Sequence, residues 1–196
     1  MLIEKTETKI QEQLIITQTA ALKAIMPQGV IINELKGDKS GQPSQYWMGV
    51  KDADTSYAFK LNSTGYSSTI SYFVSVNAYG IIEGMSILEQ NETPGLGTRV
   101  QETISNKYIW NGLFRKKEIV SPWFTEQFKG INVLNPIAIE KSFGEWHKLR
   151  DDDRAMLLQK NTVTAITGAT ISTHAVVHGI ESQAKAYFKA IKGNTL

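Results

Sequence analysis

The chain reads as an α+β protein, with one antiparallel sheet flanked by an N-terminal and a C-terminal amphipathic helix in a single domain. Three observations point that way. Apolar residues recur at helical spacing near both ends, β-rich runs separated by turn-like tetrapeptides fill residues 57–88, and no internal repeat or low-complexity tract divides the chain. With 196 residues, 41% hydrophobic and 20% charged, it is long enough for one well-packed domain and too short for two ordinary ones.

From Glu4 to Met26, the residues Ile10, Leu14, Thr17, Ala21 and Ile25 recur at three- and four-residue steps and Pro27 ends the run. That spacing predicts a helix with one core-facing stripe. Gly37 to Ser44 is rich in Gly, Lys, Ser and Pro and reads as a loop before a short strand, Tyr46 to Val50, and a turn at Asp52 to Thr55. Tyr57 to Leu61, Ile70 to Val76 and Ile81 to Leu88 then predict a meander, with turns at Asn62-Ser63-Thr64-Gly65 and Asn77-Ala78-Tyr79-Gly80. The Pro and two Gly of Glu92-Thr93-Pro94-Gly95-Leu96-Gly97 mark a specific loop. Beyond it, Val100 to Ile104 predicts a short helix and Trp123 to Phe128 a short helical or irregular segment. Val133 to Ile139 predicts a strand at an edge, because Pro136 lacks an N–H. Asp151-Asp152-Asp153 reads as a solvated turn or helix start, and Val163 to Ile166 as a brief strand. From Ser172, the residues Val176, Ile180, Ala184, Tyr187 or Phe188, and Ile191 mark one face of a closing helix.

Composition excludes several functions. Twenty-one Lys and Arg against 19 Asp and Glu give a formal charge of +2, which leaves no electrostatic footprint for a nucleic-acid duplex. The absence of cysteine removes disulfides, thiolate metal sites and Cys-ligated iron–sulfur clusters. No apolar run approaches the roughly 20 residues of a membrane span, so the chain is expected to be soluble as it stands. His174 and His178 share a helix face, but with His147 they form no ligand set of diagnostic spacing, and exposed helix histidines are expected. Trp110, Trp123 and Trp146 read as core anchors, and Arg115-Lys116-Lys117 as a solvated turn or a docking point for an acidic partner.

The most informative stretch is Ile166-Thr167-Gly168-Ala169-Thr170-Ile171-Ser172-Thr173, where a strand-like run turns into the closing helix. Unpaired N–H groups and the positive end of the helix dipole favour an anion at such a junction, and Gly168 permits close backbone approach. Thr167, Ser172, Thr173 and the N–H groups from Gly168 through Ala169 and Thr170 to Ile171 are the candidate phosphate contacts. Capping of the helix by Ser172 or Thr173 is the structural alternative.

This turn resembles the (S/T)GAT site of the FMN-binding domain family. The run Gly80 to Leu88 followed by Glu92-Thr93-Pro94-Gly95-Leu96-Gly97 is similar to a second hallmark of that family, and Gly65-Tyr66 to the start of its central strands. The resemblance implies that Thr170 carries FMN through a phosphoester bond, with Glu92, Thr93 and Leu96 beside the flavin and Leu96 and Ile166 supplying apolar surface. Within the family, the size and the full loop are most like the G subunits of Rnf complexes, which pass electrons between ferredoxin and NAD while moving ions across a membrane. The C subunit of sodium-pumping NADH:quinone reductase is related. Such subunits begin with a transmembrane helix, place the flavin domain outside the cytoplasm, and are loaded by a dedicated flavin transferase. The resemblance therefore implies other subunits of a membrane redox complex as partners, a juxtamembrane-like helix over residues 1–27 whose anchor is missing, and an FMN-binding domain over 28–196. One position departs: Thr164 stands where the family usually has an aspartate, three residues before the first hydroxyl of the motif. A free-standing flavin reductase, and a scaffold domain that has lost flavinylation, are the alternative readings.

Overall fold

A computed structural model describes residues 2–105 and 120–193 of the chain. Trp110 and the Arg115-Lys116-Lys117 run lie outside the described residues.

The centre is a five-stranded antiparallel meander, β1 (Ile31–Lys36), β2 (Gln45–Lys51), β3 (Asp54–Thr64), β4 (Thr69–Asn77) and β5 (Ile82–Glu89), each strand paired with the next in sequence. Alternation along β4 sorts its side chains onto two faces. Ile70, Tyr72, Val74 and Val76 join Phe59 and Leu61 of β3 in the larger core, while Phe73 packs with Ala58 and Trp47 on the opposite face. The α+β class and the meander are as the sequence predicts, and β1 is an additional edge strand.

Helix α1 (Leu2–Ile25) covers the smaller core, but only by its last turns. Leu22, Ile25 and Met26 are buried, and Ser75 Oγ donates to the Ile25 carbonyl at 2.6 Å. The expected stripe does not reach the core along its whole length: Leu14 is 48% exposed and Thr17 is exposed as well. Periodicity marks a helix face, but only the part that overlies the sheet can be buried. The Ile10 side chain is outside those described.

Two turns differ from expectation. Asn62, Ser63 and Thr64 belong to β3, and the reversal falls at Gly65, whose N–H donates to the Ser68 carbonyl at 2.8 Å. Residues after the Pro-Gly loop form a 3-10 turn (Gly97–Gln101), followed by β6 (Ile104–Ser105), which pairs with β7 (Val120–Ser121). α2 (Trp123–Glu126) follows, with Trp123 and Trp146 both buried. The expected strand from Val133 contracts to β8 (Ala138–Glu140), which pairs in parallel with β9 (Thr162–Thr164). Pro136 cannot donate to a ladder, and its carbonyl is taken instead by Asn161 Nδ2 at 2.9 Å. Asp151 opens α3 (Asp151–Gln159), where three carboxylates face the positive end of the helix dipole.

The closing helix starts at Thr170, two residues earlier than its apolar stripe. It runs as α4 (Thr170–Gly179), a π segment (Ile180–Ala184) and α5 (Lys185–Lys192). Val176, Ile180, Ala184 and Phe188 are all buried. A strict four-residue repeat drifts around an α-helix of 3.6 residues per turn, and the wider π turn offsets that drift and keeps the stripe on the sheet. No helix among the described residues is long and apolar enough to cross a membrane.

Candidate functional site

The hydroxyl-rich turn sits between β9 and α4. Gly168 adopts φ +79°, a conformation that favours glycine, and a Cβ built there would lie 3.1 Å from Leu96 Cδ2. The Leu96 side chain thus lies beside the turn, and the two segments singled out in the sequence are neighbours. Thr173 closes the turn from inside: its Oγ1 accepts the Ile166 N–H at 3.1 Å and donates to the Ala169 carbonyl at 3.2 Å, which also accepts the Thr173 N–H. Helix α4 has no side-chain cap. The N–H groups of Thr170, Ile171 and Ser172 are those that a helix leaves without intrahelical partners. Thr167 and Ile171 are exposed, Thr170 is half-buried, and Ala169 is buried; Ile166, expected to offer apolar surface to a flavin, instead lies wholly inside the main core and offers none.

Glu92 is a buried hub. Its Oε1 accepts the N–H groups of Ser67 (2.9 Å) and Ser68 (2.8 Å), and its Oε2 accepts the Tyr66 N–H (3.0 Å) and the Ser172 hydroxyl (2.5 Å). One carboxylate therefore fastens the β3–β4 hairpin tip, the Pro-Gly loop and the first turn of α4. Gly97 has to be glycine for this, since a Cβ there would overlap the Glu92 carboxylate and approach Ser172 Oγ to 2.8 Å. The Thr93 carbonyl closes the loop by accepting the Leu96 N–H at 3.1 Å. Of the residues expected at a phosphate, the hydroxyls of Ser172 and Thr173 are both engaged inside the protein.

A second set of charges holds Thr167. Arg99 Nη1 donates to Glu145 Oε1 at 2.6 Å and to the Thr167 carbonyl at 3.1 Å, and the same Glu145 oxygen accepts the Thr167 N–H at 3.4 Å. Glu102 completes the set, accepting Arg99 Nη2 and the Trp123 indole N–H, each at 2.9 Å. Sequence reasoning missed Arg99, although it lies two residues beyond the loop. Glu145, in a region without pattern, carries no local signal. His147 departs from the exposed-helix expectation, lying against Trp123 with ring centroids 4.7 Å apart, while His174 and His178 are exposed.

Thr164 is fully buried and plays a structural part. Its hydroxyl accepts the Trp146 N–H at 3.0 Å and donates to Gln127 Oε1 at 3.1 Å, and that oxygen also accepts the Thr164 N–H at 2.8 Å. The end of β9 is thereby pinned three residues before Thr167.

Both buried carboxylates are ionised well below the ordinary range. Burial pushes Glu92 up, but the Ser172 hydroxyl and the N–H groups of Ser67, Tyr66 and Ser68 bring it down to about 2. Burial likewise opposes ionisation of Glu145, and Arg99 and Lys148 bring it to about 2. A depressed folded-state pKa contributes stability that is fully present above the unfolded value of 4.5 and is lost as pH falls towards 2. Each carboxylate therefore stabilises the fold at neutral pH and ceases to do so on acidification. Acid titration followed by near-ultraviolet circular dichroism is expected to show unfolding between pH 4.5 and 2; native signal retained at pH 2 would contradict it.

The profile of the FMN-binding domain matches residues 65–185, from the hairpin tip held by Glu92 to the start of α5. The G subunit of the Na(+)-translocating ferredoxin:NAD(+) oxidoreductase complex of Acetobacterium woodii is 23% identical over 196 residues, covering 93% of this chain and 79% of that protein. The G subunit of the ion-translocating oxidoreductase complex of Photorhabdus laumondii is 26% identical over 191 residues, covering 91% of this chain and 77% of that protein. The fold is shared with the C subunit of the Na(+)-translocating NADH-quinone reductase of Parabacteroides distasonis, at a TM-score of 0.59 and 18% identity over 94% of this chain and 96% of that one. Because the matched segment is more than half of the chain and contains both the Pro-Gly loop and the hydroxyl-rich turn, this protein belongs to the FMN-binding domain family.

Proposed function

We propose that this chain is an electron-transfer domain that carries FMN on Thr170 through a phosphoester, as a subunit of an ion-translocating ferredoxin:NAD-type oxidoreductase. The observation that carries the reading is the uncapped start of α4 with a half-buried threonine on it. Phosphate at its hydroxyl meets the N–H groups of Thr170, Ile171 and Ser172 and the positive end of the helix dipole. Thr167, Gly168 and Ala169 shape the turn beside it. Leu96 and Ile171, 44% and 55% exposed, supply apolar surface for the ring, and Thr93 with Glu92 holds the loop that presents Leu96. Ser172 and Thr173 serve by bracing the turn from within.

Bound FMN supplies the redox chemistry, and the protein orients it and tunes its potential through local charge and burial. The partners in this reading are the other subunits of a membrane redox complex and a flavin transferase for loading, with the domain on the extracytoplasmic face of the membrane. The subunit partners are supported by the named relatives, which are subunits of ion-translocating oxidoreductase complexes; the transferase and the extracytoplasmic face follow from the family resemblance alone.

The test is coexpression with a flavin transferase, followed by intact-mass measurement and peptide mapping of Asn161 to Ile180. Flavin fluorescence that survives denaturation is expected in the native chain, with its complete loss in Thr170→Ala. Covalent flavin persisting in the alanine variant would assign the link elsewhere. Thr164 favours one second reading, a scaffold domain without flavin, because it places a neutral, internally satisfied hydroxyl where the family usually has an acid. Failure to acquire flavin under coexpression selects that reading.

A further inference from the structure

Tyr66 stands at the tip of the β3–β4 hairpin, 69% exposed, on a turn that is unusually well held. The N–H groups of Tyr66, Ser67 and Ser68 all donate to Glu92. The oxygen that accepts from Tyr66, Glu92 Oε2, also accepts from Ser172 in the first turn of α4. The backbone of Tyr66 and the helix start that bears Thr170 are thus fastened to one atom. Two more exposed apolar side chains border the same junction: Ile171, next to Ser172, and Leu96, beside Gly168.

Three large exposed apolar residues are thus tied to one junction through a rigid polar hub, and exposed apolar side chains gathered at one place mark a binding surface. A tyrosine in that position offers a large flat face with few rotatable bonds, so little conformational freedom is lost when a ring settles on it. The occupant is set by the site itself, since the anion seat at α4 fixes one end of FMN and leaves its ring to lie on the adjoining surface. We propose that Tyr66 is the aromatic platform for the FMN ring, facing the aliphatic side made by Leu96 and Ile171. The proposal rests on Thr170 as the attachment point.

Contact between a phenol and a flavin has a specific optical consequence. The phenol passes an electron to the photoexcited flavin and receives it back, which returns the flavin to its ground state without emission. Tyr79 provides an internal control, because it is equally exposed, at 75%, but lies in the turn beyond the opposite end of β4. FMN-loaded native protein, Tyr66→Leu, Tyr66→Trp and Tyr79→Leu are compared by flavin content, fluorescence lifetime and visible circular dichroism. Tyr66→Leu is expected to keep its flavin and fold, lengthen the lifetime severalfold and change the visible dichroism. Tyr66→Trp is expected to restore quenching, and Tyr79→Leu to match the native protein. A loaded Tyr66→Leu with native lifetime and dichroism overturns the platform and leaves Thr170 untouched. A native chain that takes up no flavin overturns the attachment reading and the platform with it.

Discussion

Glu92→Leu is expected to lower the stability of the chain by about 3 kcal/mol, a fall of roughly 10 °C in melting temperature for a domain of this size. Leucine occupies similar space but accepts nothing. The substitution leaves the N–H groups of Tyr66, Ser67 and Ser68 and the Ser172 hydroxyl without their common acceptor. A buried donor deprived of its partner costs about 1–3 kcal/mol, and the hairpin tip recovers part of this by reaching water. Glu92→Gln, which keeps one acceptor oxygen, is expected to fall between the two. Thermal unfolding followed by circular dichroism checks the series; a leucine variant melting with the native protein would show that the hub is dispensable. In the flavin-loading assay the leucine variant should also incorporate less FMN, because the loop and α4 are no longer fastened together.

Arg99→Leu is expected to cost about 2–4 kcal/mol for a related reason. Glu145 is only 2% exposed, and without Arg99 its charge keeps Lys148 as its remaining close partner at 2.8 Å. The Thr167 carbonyl and the Trp123-bound Glu102 lose the same guanidinium. Arg99→Lys should rescue little, because an ammonium cannot match the planar fork that serves Glu102, Glu145 and a carbonyl together. The informative variant is the double substitution Arg99→Leu with Glu145→Leu. Removing the uncompensated carboxylate is expected to recover a part of the loss, so the double variant should be more stable than additivity allows. Strict additivity in urea unfolding would show that the pair does not act as a unit.

What could be read from the residues follows the range of the interactions involved. The three central strands, the terminal helices and the turn after Asn77 depend on alternation, helical periodicity and turn chemistry over a few neighbouring residues, and the structure has them. The Asn77 side chain, for instance, accepts the N–H groups of Tyr79 and Ile81 within its own turn. Where the expectation slipped, a distant partner had intervened. The β3–β4 hairpin turns at Gly65 rather than Asn62 because Glu92 takes the N–H groups of residues 66–68. The strand after Val133 is short because Asn161 claims the carbonyl of Pro136.

The candidate site divides in the same way. The glycine-bearing turn, the helix start and the Pro-Gly loop are local features, and the chain declares them in its order of residues; that no side chain caps the helix is seen only in the fold. That these two segments meet, and what joins them, is tertiary. Ser172 and Glu92 are 80 residues apart, Arg99 and Glu145 are 46 apart, and Arg99 reaches Thr167 across 68. No local pattern marks Glu145, and the motif that contains Tyr66 does not say what it meets; both places depend on which buried charges and turns the folded sheet brings together. The sequence by itself therefore determined an α+β chain with an anion-ready helix start. Only the tertiary structure decided how Glu92, Arg99 and Glu145 fasten that start to the rest of the fold, because those groups meet through packing and not through spacing.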